Sequence, residues 1–229
     1  MCIRDRVDAD PHATVTQIDG IGAYDHIRRS SMLGALARTP SAHKLLPFVL
    51  LSYGAQSRYL WTDEAGQVHE VLQGEGGEQG DALMPALFSL GMADALKQAQ
   101  DSLLADELVV AYLDDVYIIT APERALAAYR TVTETIATVC GVQPNLGKTV
   151  VWNQAGTVPH EIQGLGEGVW RGSGPQAGIR ILGAPFGTQA FVDGFGEAQV
   201  AKASRLLEQV KALPCTCLLY TSPSPRDRG

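Results

Sequence analysis

The sequence predicts an α+β domain, in which a mainly antiparallel sheet is covered on one face by helices. Two apolar segments, residues 108–113 and 116–120, flank a pair of aspartates and indicate a tight hairpin. Within residues 85–98, apolar side chains recur at helical spacing. Strand and helix patterns alternate along the chain without an internal repeat, which favours a single mixed domain over an array.

The N-terminal half is predicted to form a strand, a helix and a hairpin. Residues 14–18 alternate β-branched and polar side chains, which predicts a strand that ends at Asp19. Helical spacing follows over residues 23–36. Residues 58–62 and 68–72 predict a second hairpin around an acidic turn that contains glycine.

The C-terminal half begins with a glycine-rich loop at residues 74–80, which leads into the helix of residues 85–98. After the central hairpin, Pro122 begins a helix at a favoured early position and Gly141 ends it. The remaining predicted elements are strands at residues 149–152 and 179–182 and a helix at residues 198–213.

The composition allows a sizeable core, since 45% of the 229 residues are hydrophobic. The net charge of −7 is unusual for a protein that binds nucleic acid, because phosphate-binding surfaces are generally basic. If the chain has that function, the basic surfaces are expected in parts of a longer protein that lie outside this segment.

Both ends of the chain, residues 1–6 and 217–229, resemble in-frame translations of a common sequencing-library adapter. We therefore predict that they are non-native tails and that the natural segment begins and ends within a longer protein. Without these tails, 14 basic and 23 acidic residues remain, a net charge of −9.

The chain contains four cysteines but no CxxC pair, so the sequence supports neither a zinc site nor a disulfide framework. No apolar run approaches the ~18 residues of a membrane span, and the first residues do not resemble a signal peptide. We therefore predict an intracellular protein, nuclear or cytoplasmic, with no membrane partner.

The chemistry-bearing residues stand at predicted strand ends. Asp114 and Asp115 lie at the hairpin tip, where adjacent carboxylates repel each other. An ordinary turn is the alternative at this point, although such turns more often use Asn-Gly or Asp-Gly. Asp19 ends another apolar strand, and the three carboxylates together could hold two Mg²⁺ ions for phosphoryl transfer.

Five segments then resemble, in order, the motifs of reverse transcriptases, and most closely those of non-LTR, LINE-like retrotransposons. They are DGIGAYDHI at residues 19–27, GGEQGDALMPALF at residues 76–88, YLDD at residues 112–115, GVQPNLGKT at residues 141–149 and ILGAP at residues 181–185. The resemblance covers about residues 14–190. It implies a polymerase palm with a ferredoxin-like or RRM-like core and part of the fingers.

The resemblance implies a role for each matching residue at the reaction centre. Asp19 and Asp114 would be the principal ligands of two Mg²⁺ ions, with Mn²⁺ as a possible substitute, and Asp115 would assist. Tyr24 would be the steric gate that excludes a ribose 2′-hydroxyl. Lys148 would lie near the triphosphate as a charge partner or proton donor.

Other matching residues would contact the nucleic acid or the nucleotide. Gln79 and Gly80 would lie against the template and the incoming base, and Asn145 would help to bind the substrate. Leu182 and Gly183 would form the turn of the primer grip.

The sequence also departs from the family pattern at several positions. Glu78 stands where a basic residue is usual, Ala82 replaces proline, Met84 replaces serine and Leu113 replaces the commoner alanine. None of these changes removes a predicted metal ligand.

The resemblance also implies a domain plan and a set of partners. Residues 7–192 would form the palm with partial fingers, and residues 193–216 a helix that leads toward a thumb. The partners would be an RNA template, a DNA primer and deoxynucleotides. Most of the fingers, the thumb and an endonuclease would belong to the missing parts, so the isolated fragment is expected to be inactive or weak.

Three alternatives stay open at the level of sequence. A viral RNA-dependent RNA polymerase shares the Asp-Asp hairpin but typically has a polar residue at the position of Tyr24 and glycine at that of Leu113. Group II intron and retron reverse transcriptases are closer relatives, but the Ala-Tyr-Asp run at residues 23–25 resembles LINE-like enzymes more. A decayed palm that only binds nucleic acid is the third, and the intact Asp19, Asp114, Asp115 and Lys148 argue against it.

Overall fold

The computed structural model describes residues 3–78 and 80–213. The chain divides into two compact units, one up to Ser173 and one from Gly174. The predicted site residue Gln79 and the C-terminal tail at residues 217–229 lie outside the described residues.

Helices and strands alternate through the first unit, and a hairpin and a long helix form the second. The helices are α1 (Ile3–Ala9), α2 (Ala23–His26), α3 (Arg29–Arg38), α4 (Leu46–Tyr53), α5 (Met84–Ser102), α6 (Ala125–Cys140) and α7 (Gln189–Lys211). The strands are β1 (Thr14–Ile18), β2 (Ser57–Thr62), β3 (Val68–Gln73), β4 (Leu108–Tyr112), β5 (Asp115–Thr120), β6 (Val150–Trp152), β7 (Gly178–Ile181) and β8 (Ala184–Gly187).

The central sheet has four strands in the order β4-β5-β1-β6, and every neighbouring pair is antiparallel. The pairing of β1 with β5 ends at Ile18 opposite Val116, and the pairing of β4 with β5 ends at Tyr112 opposite Asp115. The C-terminal ends of β1 and β4 therefore lie at the same end of the sheet. This arrangement confirms the predicted α+β fold with an antiparallel sheet.

One face of the sheet packs against α5 and α6, and α3 packs against α5, in a single apolar core. Val116, Ile118 and Val151 of the sheet belong to this core, together with Phe88 of α5 and Val132 of α6. Burying each such side chain contributes roughly 1.5–3 kcal/mol. The strand ends that carry the aspartates are thus supported by a layer of packed helices.

The structure places α6 as the sequence predicts, with a correction at its start. Pro122 opens a 3₁₀ turn, Pro122–Arg124, and the α-helix begins at Ala125. Gly141 ends the helix with a φ of 82°, a conformation that glycine adopts at no steric cost.

The single helix predicted over residues 23–36 is wrong in one respect, because α2 and α3 are separate. Ile27 and Arg28 have extended backbones between them. The Ile27 carbonyl accepts a hydrogen bond from Gly76 at 2.8 Å, and the Arg28 amide donates to Cys140 at 2.8 Å. These long-range bonds replace the helical bonds that a continuous helix would make.

Two helices, α4 and α7, differ from the predictions because their signals are weak. Helix α4 is apolar on all sides and lacks helical periodicity. Helix α7 begins at Gln189, where the Thr188 hydroxyl caps it, although the sequence indicated residue 198. Helix α1 runs through the boundary predicted between residues 6 and 7, with Val7 buried. Among the described residues, no helix combines the length and apolar character that crossing a membrane requires.

Candidate active site

The central hairpin separates the two neighbouring aspartates. Strand β4 ends at Tyr112 and β5 begins at Asp115, so the loop consists of Leu113 and Asp114. Leu113 has a φ of 56°, which costs a residue other than glycine roughly 1–2 kcal/mol. The sequence placed both aspartates in the turn, whereas the structure has Asp114 in the loop and Asp115 in the strand.

Asp19 follows β1 at the same edge of the sheet, beside the segment that contains Asn145. Its carbonyl accepts a hydrogen bond from the Asn145 amide at 2.7 Å, and Ile21 donates to the Gln143 carbonyl at 2.9 Å. Gly20 also forms a bridge with Pro144. The segments at residues 19–27 and 141–149, distant in sequence, therefore lie side by side.

An open pocket of about 210 Å³ gathers four of the predicted site residues, Asp19, Tyr24, Asp114 and Lys148. Asp25, which the sequence did not assign to the site, lines the same pocket. A second cavity, of about 20 Å³, is apolar and lies between the sheet and helices α5 and α6. That volume holds about one water molecule, so only the first pocket suits a larger ligand.

The carboxylate of Asp19 is only partly compensated by the protein. Its Oδ2 is inaccessible to solvent and makes no hydrogen bond. The Lys148 Nζ lies 3.2 Å away, close enough for an ion pair but without hydrogen-bond geometry. Because this buried oxygen has an ion-pair contact with Lys148 but no hydrogen bond, it is suited to binding a further cation in the pocket.

Tyr24 is held at the pocket by contacts on two sides. Its ring stacks on Phe88 of α5, with centroids 4.5 Å apart, and its carbonyl accepts from the Gly77 amide at 3.0 Å. Burial, and then the charge of Asp114, raise the pKa of the Tyr24 phenol. The side chain is therefore a neutral, fixed ring beside the aspartates.

Comparison with protein families agrees with this geometry. A family model described as "Reverse transcriptase (RNA-dependent DNA polymerase)" matches residues 5–186, most of the chain. The chain belongs to the reverse transcriptase family. No curated protein sequence matches it.

Solved structures with the same fold include three yeast telomerases. An apo telomerase from Candida tropicalis without its C-terminal domain has a TM-score of 0.54 and 17% identity, covering 80% of this chain and 36% of that one. Telomerase from Candida albicans, in complex with the TWJ fragment of telomeric RNA, has a TM-score of 0.55 and 15% identity, covering 82% and 32%. Another apo telomerase from Candida tropicalis has a TM-score of 0.51 and 14% identity, covering 66% and 30%.

These structures share the fold of the reverse transcriptase palm with this chain. The chain spans about a third of the length of the telomerase chains that it matches.

The donor atoms of this reverse transcriptase pocket fit a hard divalent cation. Asp19 and Asp114 supply carboxylates, and Mg²⁺ needs only one or two of these when waters and substrate phosphates complete its shell. Within residues 3–78 and 80–213, no group of three or more His, Cys, Asp or Glu side chains forms a ready-made metal cluster. Asp115, predicted as an assisting ligand, is not among the residues that line the pocket.

The other predicted residues of the reverse transcriptase motifs lie in turns. Gly80 has a φ of 103° and open space where a Cβ would stand, so a partner could approach its backbone closely. Leu182 and Gly183 form the two-residue turn between β7 and β8, with φ values of 47° and 84°. This turn belongs to the second unit of the chain and has the positive φ values of a type I′ hairpin.

Proposed function

We propose that this chain is the palm of an RNA-directed DNA polymerase, which extends the 3′-hydroxyl of a primer with deoxynucleotides copied from an RNA template. One observation carries the proposal: Asp19, Tyr24, Asp114 and Lys148 come from three distant motifs and line one pocket. These are residue types that nucleotidyl transfer requires, namely metal-binding carboxylates, a nearby cation and a wall against the sugar.

Asp19 and Asp114 would hold two Mg²⁺ ions, or Mn²⁺ in their place, with Asp115 as an assisting ligand. When bound, such a pair stabilises the attacking and leaving oxygens of an in-line phosphoryl transfer. The orphaned Oδ2 of Asp19 supports this role, because the protein itself leaves that oxygen without a hydrogen bond.

Lys148 would act on the leaving pyrophosphate as a charge partner or proton donor. Its side chain is 67% exposed and its ammonium group reaches the pocket through the 3.2 Å contact with Asp19, so the group has room to move toward a bound triphosphate. Asn145 would support substrate binding from the same segment, since its amide is bonded to the Asp19 carbonyl.

Tyr24 would select deoxynucleotides by occupying the space of a ribose 2′-hydroxyl. Its stacking on the buried Phe88 fixes the ring, which a steric gate requires. Replacing Tyr24 by valine should admit ribonucleotides, and the ratio of kcat/KM for the two nucleotide types measures this. Equal use of both nucleotide types by the unmodified enzyme would favour an RNA polymerase instead.

The parent protein would be a non-LTR, LINE-like retrotransposon polyprotein that copies its own RNA. Residues 7–192 would be the palm with part of the fingers, and residues 193–216 would lead into the thumb. The rest of the fingers, the thumb and an endonuclease would lie elsewhere in that protein. Residues 1–6 and 217–229 would be adapter-derived tails. The acidic net charge of −7 supports this plan, because a working polymerase needs basic surfaces to hold nucleic acid.

The decisive test is primer extension by the complete reading frame that contains this segment, on an RNA template, with and without Mg²⁺. We expect extension that needs the metal and is abolished in Asp114→Asn. Asp94→Asn is a matched control, because Asp94 pairs with Arg38 on the protein surface, outside the pocket. Extension that survives in Asp114→Asn would contradict the proposal.

A further inference from the structure

A buried guanidinium lies behind the loop of residues 74–81, which comprises the glycine-rich loop predicted at residues 74–80 and Asp81 and is described except at position 79. Arg29, the first residue of α3, is 5% exposed. Its Nε donates to the Gly76 carbonyl at 2.9 Å, Nη1 to the Ala55 carbonyl at 2.5 Å and Nη2 to the Ser57 hydroxyl at 2.8 Å. One charged group therefore joins the loop to the start of the β2–β3 hairpin.

Tyr53, the last residue of α4, holds the other end of the same loop. Its ring lies under the Arg29 guanidinium, 5.3 Å from the guanidinium carbon to the ring centroid. Its hydroxyl donates to the Asp81 carboxylate and accepts from the Glu78 amide at 3.4 Å. Burial, and then the hydrogen bond to Asp81, raise the pKa of this phenol to about 12, so it donates throughout the neutral range.

The opposite side of the loop is attached to the polypeptide around the steric gate. The Gly76 amide donates to the Ile27 carbonyl at 2.8 Å, and the Gly77 amide donates to the Tyr24 carbonyl at 3.0 Å. A Cβ on Gly76 would stand 2.2 Å from the Asp25 carbonyl oxygen, so the two backbones are in direct contact. The loop is thus held between Tyr24 on one side and Arg29 and Tyr53 on the other.

We propose that Arg29 and Tyr53 are positioning residues, which press this loop against Tyr24 and thereby set the affinity of the pocket for the incoming nucleotide. The inference rests on the proposed polymerase function. A buried cation is expensive unless its hydrogen bonds are satisfied, and apolar residues often replace buried ionic groups without loss of stability. The charge at Arg29 is therefore explained by the two carbonyls and the hydroxyl to which its guanidinium donates.

The kinetic test uses the complete enzyme with Tyr53→Phe, Arg29→Met and the control Tyr59→Phe. Tyr53→Phe keeps the ring and removes only the hydroxyl, whereas the hydroxyl of Tyr59 bonds Gln73 within the β2–β3 hairpin. Tyr53→Phe and Arg29→Met should each raise the KM for deoxynucleotides about fivefold to tenfold, because each variant loses hydrogen bonds to the loop. The value of kcat should change less than about twofold. The control should leave both constants unchanged.

Hydrogen exchange on the same variants gives a second measurement that needs no catalysis. The Gly76 and Gly77 amides should exchange about tenfold faster in Tyr53→Phe than in Tyr59→Phe, with the amides of β5 unchanged. If the β5 amides also exchange faster in Arg29→Met, that variant has lost its fold. Tyr53→Phe alone then tests the positioning role.

Two negative results have different meanings. An active enzyme in which Tyr53→Phe alters neither the KM nor the exchange of Gly76 and Gly77 would overturn the positioning role alone. An unmodified enzyme without extension that depends on Asp114 would overturn the proposed function and this inference together.

Discussion

The carboxylates at the two ends of the central sheet differ in how many hydrogen bonds they accept from the protein. Because β1 and β4 are both antiparallel to β5, Glu107 before β4 and Asp19 after β1 lie at opposite ends. The Glu107 side chain is 1% exposed and fully engaged: Oε1 accepts from Arg124 at 2.8 Å, and Oε2 accepts from Arg124 at 3.3 Å and from the Leu104 amide at 2.9 Å.

The Asp19 end lacks this compensation. Its side chain is 27% exposed, and the buried Oδ2 makes no hydrogen bond but has an ion-pair contact with the Lys148 ammonium at 3.2 Å. Glu107 thus has three hydrogen bonds, whereas Asp19 Oδ2 has an ion-pair contact alone, which is the arrangement we expect of a carboxylate that binds a ligand. A structural carboxylate is neutralised by the protein, whereas a ligand-binding one is left for the partner to neutralise.

The largest effect should come from Asp19→Asn in the complete enzyme. We expect primer extension to fall on the order of 10³-fold, because a ligand of the transition-state metal is lost. The free energy of unfolding, measured in urea, should stay equal or rise, because a poorly compensated charge is removed. A clear loss of stability would show that Asp19 serves the fold, as Glu107 does.

Glu107→Gln should have the reverse effect. The Arg124 side chain is 36% exposed and stays solvated, so the loss of its charged partner should lower the free energy of unfolding by about 1.5–3 kcal/mol, the range for hydrogen bonds to charged groups. The activity per folded molecule should stay within about twofold of the unmodified enzyme, since Glu107 lies at the end of the sheet away from the pocket. Urea denaturation combined with active-site titration checks both expectations.

Magnesium should raise the stability of the protein through Asp19 and not through Glu107. With ~10 mM Mg²⁺ and a dissociation constant of ~1 mM, mass action adds about 1.4 kcal/mol, or a few degrees in Tm. Calorimetry of the 229-residue chain should show this rise in the unmodified protein and in Glu107→Gln. It should be absent in Asp19→Asn, and an equal rise in all three would argue against a metal site at Asp19.

The smallest expected effect is a pH dependence of the free energy that Glu107 contributes to stability. Burial acts to raise the pKa of Glu107, but hydrogen bonds from Arg124 and the Leu104 amide outweigh it and lower the pKa below its ordinary value of 4.5. The stabilisation is therefore present above pH 4.5 and is lost as the pH falls through the pKa of the folded state. The stability difference between the unmodified protein and Glu107→Gln should narrow below pH 4.5, and a constant difference would refute this origin.

Much of the site could be predicted from the sequence, because the motifs are local. The alternation in residues 14–18 and the apolar segments around Asp114 identified the strands whose ends carry the aspartates. Tyr24 and Lys148 were predicted from the segments around them, and both line the pocket. The predictions for Gly80, Asn145, Leu182 and Gly183 as contacts for nucleic acid or nucleotide stay predictions.

Other features could not be predicted, because they depend on contacts between distant segments. The sequence assigned no role to Asp25, yet in the structure this residue lines the pocket together with Asp19 and Asp114. The break between α2 and α3 follows from hydrogen bonds to residues 76 and 140. Nothing in the local sequence indicated that Arg29 is buried and donates hydrogen bonds to three separate residues. An arginine at the start of a helix is usually solvated.

The sequence by itself determined which residue types stand at the strand ends, the spacing of the motifs and the family to which the chain belongs. Only the tertiary structure decided which carboxylate is fully hydrogen-bonded and which has an ion-pair contact alone. Partners of a charge are chosen by three-dimensional proximity: Glu107 meets Arg124 and Asp19 meets Lys148 because of strand order and register, which no short segment encodes.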